Sequence, residues 1–136
     1  MATLSQPWWS AVVTAVSAEV KKVMPCHAAL SQAARVSYIE GVNLLCMEST
    51  FNNAFASVAT EKLHCTTSMA ATLAKKAHVG ELLLTHISAR FKEPELLLAE
   101  AQAVFPNTAM AADGAQHEVR YFDKIPAAGQ GVSDGA

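Results

Sequence analysis

The chain has 136 residues, of which 51% are hydrophobic and 16% are charged, and its formal net charge is −2. This length suits one domain or half of a larger one, and the near-neutral charge excludes a global basic field that would attract nucleic acid. The low charged fraction indicates either a surface partly covered by a partner or second copy, or simply an alanine-rich composition.

The first predicted element is a helix in a leader over residues 1–20, because Val12, Val16 and Val20 fall on one helix face. Beyond the leader, short apolar runs bounded by polar residues predict strands, and helical spacing or capping residues predict helices. In chain order these are a strand over 22–26, a strand over 42–47, a helix over 53–63, a helix over 67–77, a strand over 81–86, a helix over 94–105, a strand over 108–112 and a strand over 116–122. The last two strands are expected to pair through an Asp113–Gly114 turn.

This order of elements predicts an α/β domain over residues 21–125, followed by a flexible tail over 126–136. In such sheets ligands bind beyond the carboxyl ends of the strands, where Glu48 and His86 fall. His64 lies at the start of a predicted helix, whose amides favour an anion such as phosphate.

Three motifs follow one another along this domain: Asn43-Leu44-Leu45-Cys46-Met47-Glu48-Ser49-Thr50-Phe51, His64-Cys65-Thr66, and Leu84-Thr85-His86-Ile87-Ser88-Ala89-Arg90-Phe91. They resemble the family motifs Asp-Leu-Leu-x-His-Glu-Ala-Thr-Phe, His-Ser-Thr and Leu-Thr-His-Phe-Ser-x-Arg-Tyr of ribonuclease Z. That family comprises metallo-β-lactamase-fold endonucleases that trim tRNA three-prime ends. The resemblance runs over about residues 42–119 and is to the family's C-terminal half. It implies a partial metallo-β-lactamase-like half-sandwich, a β-sheet with helices packed on one face.

The resemblance also implies roles for individual residues. His86 is implied as a metal ligand, and Glu48 and His64 as the catalytic pair. His64 would donate a proton to the leaving oxygen while Glu48 holds its charge and tautomer. Arg90 is expected to contact RNA phosphate or to order its loop, and Lys92 is the other candidate RNA contact; Lys75 and Lys76 complete the local basic residues.

The sequence departs from the family pattern where most of the metal would be held. A His-x-His-x-Asp-His motif is absent from the sequence, and Ala28 stands where a bridging aspartate is expected. Asn43 and Met47 replace an aspartate and a histidine. Because zinc takes three or four protein ligands, His86 alone is not expected to hold it. No cofactor is expected in isolation, and zinc is expected only if a partner chain completes the site.

Three interpretations remain open. The missing ligands favour a degenerate, non-catalytic domain that serves as a structural or interaction subunit of a larger assembly, with Glu48 and His64 as a vestigial pair. The second interpretation is one half of a zinc-dependent endoribonuclease that another chain completes. The third is a module that binds tRNA or other RNA without cleaving it. One uncovered sheet face and edge predict a homodimer or a protein partner.

The three cysteines, Cys26, Cys46 and Cys65, lack the spacing of a disulfide framework, which favours free buried thiols. This cysteine usage predicts a reducing, intracellular location such as the cytoplasm or an organelle matrix, and not secretion. No apolar run reaches the roughly 20 residues that a membrane span needs, so no membrane partner is expected.

Overall fold

The computed structural model describes residues 21–24 and 31–120, so the predicted leader, the predicted tail and Ala28 lie outside the described residues. The elements, in chain order, are β1 (Lys21–Met24), α1 (Gln32–Ile39), β2 (Leu44–Glu48), a 3-10 turn (Asn53–Phe55), α2 (Ala56–Glu61), α3 (Thr67–Lys76), β3 (Glu81–Thr85), α4 (Pro94–Gln102) and β4 (Thr108–Met110). The predicted α/β class is confirmed. None of the helices in the described part of the chain is long and apolar enough to cross a membrane.

The four strands form one parallel sheet in the order β1-β2-β3-β4. Parallel neighbours joined by crossovers of one hand place their helices on the same face of the sheet. The register pairs Leu45 with Leu82 and Met47 with Leu84, and because side chains alternate along a strand, all four point to one face. That face carries α1, α3 and α4, as the resemblance implies.

The main core lies between this face and the helices. Its buried residues are Ile39, Leu45, Met47, Cys65, Ala70, Ala71, Leu73, Ala74, Ala77, Val79, Leu82, Leu84, Ala101 and Phe105. The alanines of α3 are small, so the helix approaches the leucine-rich strands closely. Each fully buried leucine contributes about 2 kcal/mol relative to exposure, so this layer fixes the sheet beneath the site.

The second face of the sheet carries a smaller cluster of Leu44, Cys46 and Leu83, each at most 3% exposed. Among the described residues, Ala109, Ala111 and Val119 pack against it. The second face is therefore covered at these three strand positions.

Two helix ends turn the chain with the same backbone motif. After α2, Leu63 N donates to Thr60 O (3.3 Å) and His64 N to Ala59 O (2.8 Å). After α3, the matching bonds run from His78 N to Lys75 O and from Val79 N to Ala74 O, both at 3.3 Å. These are Schellman motifs, and the residues in the left-handed position, Leu63 (φ 58) and His78 (φ 50), are not glycines.

The structure differs from the predicted elements at two places. Helix α1 was not predicted, although Ser31 caps it by accepting a hydrogen bond from Ala34 N (3.2 Å). Residues 116–120 are not a strand within the described range and do not pair with β4; Val119 packs on the second sheet face.

The cysteines also differ from the expectation of free thiols. Cys46 is a buried cysteine on the second sheet face that forms no disulfide. Cys65, in contrast, is disulfide-bonded, so the expectation is wrong for this residue.

Candidate active site

Two of the predicted site residues lie at the carboxyl ends of neighbouring strands. Glu48 is the last residue of β2, and His86 directly follows β3, whose Thr85 pairs with Glu48. A hydrogen bond from Ser49 N to Thr85 O (3.0 Å) keeps the two chains side by side just beyond the sheet. His86 has a left-handed backbone (φ 56), an uncommon conformation for a residue other than glycine and a frequent one at functional sites.

The third residue, His64, reaches the same edge from the end of α2. The Schellman motif at Leu63 reverses the chain, and the following Cys65 N donates a hydrogen bond to Glu48 Oε1 at 2.7 Å. Thr66 then caps α3 by accepting from Met69 N at 3.1 Å. His64 is thus held between a helix end and a helix start, as its motif predicted.

The structure brings Glu48, His64 and His86 together. One ligand-type atom from each lies within 4.8 Å of those of the other two. His64 Nδ1 is 3.4 Å from Glu48 Oε1, and the two imidazole rings are 5.4 Å apart between centroids. A carboxylate at this distance can orient an imidazole and stabilise its protonated form, which suits acid–base chemistry.

A residue that the sequence analysis did not select, Thr50, lies at the centre of this cluster. Its hydroxyl is 2.8 Å from Glu48 Oε2, 3.2 Å from His64 Nδ1 and 3.0 Å from His86 Nδ1. Its position two residues after Glu48, within the family-like motif, was the only signal available in the sequence. A threonine in a loop otherwise carries no indication of such contacts.

Aromatic rings border the cluster on one side. Phe51 contacts the edge of the His64 ring at 6.0 Å and stacks with Phe55 at 6.2 Å between centroids. The Arg90 guanidinium lies over both phenyl rings, 5.1 Å from the centroid of Phe51 and 5.3 Å from that of Phe55. Such cation–π contacts fix the direction of an otherwise mobile arginine next to the site.

The four candidate basic residues do not form one patch. Arg90 and Lys92 lie in the exposed loop after His86, at the carboxyl edge of the sheet. Lys75 and Lys76 end α3, and since this helix runs back from the site to the start of β3, they lie at the opposite edge.

The zinc that the resemblance implies can be tested against these residues. Two histidines and a glutamate are a donor set found in catalytic zinc sites. Their ligand-type atoms lie within 4.8 Å of one another, and the 3.4 Å between His64 Nδ1 and Glu48 Oε1 is a separation that two ligands of one zinc ion can have. Both carboxylate oxygens of Glu48 are already occupied, by Cys65 N at 2.7 Å and by Thr50 N at 3.1 Å. The described residues could therefore hold a metal ion, but only where Glu48 shares its carboxylate with these two amides.

Comparison with solved structures places this fold in a known class. The metallo-β-lactamase fold protein YhfI from Bacillus subtilis is 32% identical and superposes with a TM-score of 0.54, covering 60% of this chain and 33% of that one. Human tRNase Z, short form, is 25% identical with a TM-score of 0.56, covering 74% of this chain and 34% of that one. The predicted metallo-β-lactamase-like half-sandwich is thereby confirmed for the matched part of the chain.

Comparison of sequences identifies the family relationship. Ribonuclease Z of Parasynechococcus marenigrum is 46% identical over 96 residues, which are 67% of this chain and 30% of that protein. Ribonuclease Z of a Synechococcus species is 43% identical over 103 residues, and that of Bacteroides fragilis 38% identical over 91 residues. No protein-family model matches the chain. The chain is therefore related to ribonuclease Z over part of its length, and it spans about 30% of the length of these relatives.

Proposed function

We propose that the chain supplies one part of the active site of a tRNA three-prime processing endonuclease, and that another polypeptide segment completes it. The observation that carries the proposal is the convergence of Glu48, His64 and His86 at one sheet edge, with their ligand-type atoms within 4.8 Å of one another. This favours the half-enzyme interpretation over a vestigial pair, because a site without a role has no need to keep a part-buried polar network at the sheet edge. The names of the relatives support the substrate class.

In this proposal each residue has a separate task. His64 protonates the leaving oxygen of the cleaved phosphodiester, and Glu48, 3.4 Å from its Nδ1, stabilises the imidazolium form. His86 contributes one metal ligand. The completing segment supplies the remaining ligands, since zinc sites of this kind need at least three.

Arg90 is proposed to bind a backbone phosphate of the RNA beside the scissile bond. Its guanidinium is held over Phe51 and Phe55 at 5.1 and 5.3 Å, and the Phe51 ring in turn contacts His64. A guanidinium offers planar, bidentate donors to phosphate, and prior orientation lowers the entropy lost on binding. Lys92, exposed on the same loop, is the proposed second contact.

A non-catalytic subunit is the second candidate function. It is favoured by Met47, which stands where the resembled motif has a histidine and is only 2% exposed within the helix-facing core. A methionine there stabilises the domain and contributes nothing to a metal site. An RNA-binding module without cleavage is the third candidate, and the separation of Lys75 and Lys76 from Arg90 weakens it.

The test is a chimera in which residues 42–119 replace the matching segment of the Parasynechococcus marenigrum ribonuclease Z, assayed for zinc content and cleavage of precursor tRNA. Expected results are stoichiometric zinc and cleavage that falls about 100-fold or more in a His64→Ala variant. The matched control is Lys76→Ala at the opposite sheet edge, which should cleave normally. A folded chimera that binds RNA but neither holds zinc nor cleaves would favour the RNA-binding module. One that does none of these would favour the non-catalytic subunit.

A further inference from the structure

We infer that Thr50 is a positioning residue that fixes the ring tautomer of both site histidines, so that each carries its proton on Nδ1 and its lone pair on Nε2. The inference concerns a residue to which the proposed function gives no role. Its consequence for cleavage rests on that proposed function, but the tautomer itself does not.

The first step is the direction of the Thr50 hydroxyl proton. Thr50 is 7% exposed, and both its backbone N and its Oγ1 donate to Glu48 Oε2, at 3.1 and 2.8 Å. A carboxylate offers only acceptor sites, so the hydroxyl must be the donor in this bond. The single proton of the hydroxyl is thereby committed to Glu48.

The second step follows from what remains of the hydroxyl. With its proton used, the hydroxyl oxygen can only accept hydrogen bonds. The other two neighbours of this oxygen are His86 Nδ1 at 3.0 Å and His64 Nδ1 at 3.2 Å. Both nitrogens must therefore donate. One donated and two accepted hydrogen bonds use the full capacity of a hydroxyl group.

A second acceptor supports the assignment at His64. Its Nδ1 lies 3.4 Å from Glu48 Oε1, which also offers only lone pairs. A neutral imidazole carries one proton, so a proton on Nδ1 leaves Nε2 as the basic nitrogen. Nε2 is then the atom that takes up a proton at His64 or meets a metal at His86.

The chemistry of threonine suits this task. Its β-branched side chain is restricted in χ1, so the hydroxyl keeps one direction at low entropic cost. Hydrogen bonds to the far nitrogen of a histidine are the usual means of fixing its tautomer in metal and acid–base sites. Thr50 does this for two rings with one oxygen.

The experiment is long-range ¹⁵N–¹H correlation NMR of the imidazole rings in the full chain, without metal or RNA, at a pH where the histidines are neutral. Variants at His64 and His86 assign the two rings among the five histidines of the chain. The variants to compare are Thr50→Val, which keeps the shape and removes the hydroxyl, and Thr50→Ser, which keeps the hydroxyl. Thr60→Val is the matched control, since the Thr60 hydroxyl donates only to the Ala56 carbonyl in its own helix.

The expected wild-type spectrum has a pyrrole-type Nδ1 and a pyridine-type Nε2 in both rings. Thr50→Val should shift the tautomer ratio toward Nε2–H by up to about tenfold, the worth of one ordinary hydrogen bond. Thr50→Ser and Thr60→Val should keep the wild-type pattern. An Nε2–H tautomer at either ring in the wild type overturns the inference. This test uses only the wild-type chain, so it holds even if Thr50→Val does not fold. An unchanged ratio at His86 in folded Thr50→Val overturns it as well, whereas His64 keeps Glu48 Oε1 as an acceptor and should shift less.

Failure of this inference and failure of the proposed function are distinguishable. The NMR measurement needs no activity, so a chimera that does not cleave leaves the tautomer result intact. Conversely, a cleaving chimera combined with Nε2–H rings would keep the function and remove the role of Thr50.

Discussion

The ends of α2 and α3 use the same backbone motif at opposite edges of the sheet and lead to different environments. At the carboxyl edge the motif at Leu63 delivers His64 into the polar cluster with Glu48 and Thr50. At the amino edge the motif at His78 delivers Val79, 1% exposed, into the core. The Schellman motif itself only reverses the direction of the chain. The residue that follows the motif determines whether the turn contributes to the candidate site or to the hydrophobic core.

The largest expected effect on stability is at Val79, which follows the second motif, and it should exceed the effect at His64, which follows the first. Val79→Ala removes two buried methyl groups and should lower the free energy of unfolding by about 2 kcal/mol. His64→Ala, whose side chain is 35% exposed, should change it by less than about 1 kcal/mol. Urea unfolding of the full chain measures both. Equal losses would mean that the cluster at the carboxyl edge is structural, which would favour the non-catalytic interpretation.

The next largest effect on stability is expected at the N-terminal cap of α3, which closely follows His64. Thr66→Val removes the cap that accepts from Met69 N at 3.1 Å and should cost about 1 kcal/mol in urea unfolding. Thr60→Val serves as the control, since that hydroxyl is exposed and bonds only within its own helix. If both variants lost the same amount, removal of any hydroxyl, and not loss of the cap, would be the cause.

Much of the fold could be predicted from the sequence, and the reasons are local. The leucine-rich run at Glu81–Thr85 and the apolar run ending at Glu48 are both flanked by polar or glycine residues, so their strands were found. Glu48 and His86 follow those strands, and the parallel pairing of the strands then brings them together.

The parts that could not be predicted depend on tertiary contacts. Helix α1 has exposed residues along most of its length and only Ile39 fully buried, so its apolar periodicity is weak. Val119 alternates with polar residues, as residues in a strand do. In the structure it lies outside any strand and packs against the second sheet face. Thr50 bonds residues 14 and 36 positions away, and apart from its place in the family-like motif nothing near position 50 indicates those contacts.

A smaller effect, of opposite sign, comes from the left-handed residues of the two motifs. Leu63→Gly and His78→Gly should each raise the free energy of unfolding by about 1 kcal/mol or somewhat less, because glycine adopts positive φ without the steric cost of a side chain. Leu63 is 64% exposed, so little burial is lost there. The gains should add in the double variant, since the sites lie at opposite edges.

A loss of stability at Leu63 combined with a gain at His78 would break the symmetry between the motifs. It would show that the Leu63 side chain itself supports the carboxyl edge. Asparagine, which tolerates positive φ and keeps a side chain, distinguishes the two explanations when placed at each position.

The smallest expected effect concerns charge at the end of α2. Lys62 and Glu61 form an ion pair at 3.5 Å, and their side chains are 62% and 72% exposed. Pairs this exposed contribute little because water and salt screen them, so Glu61→Gln should change the free energy of unfolding by less than about 0.5 kcal/mol. Urea unfolding at low and high salt checks this. A larger, salt-sensitive loss would mean that charge, and not the backbone motif at Leu63, holds the turn that presents His64.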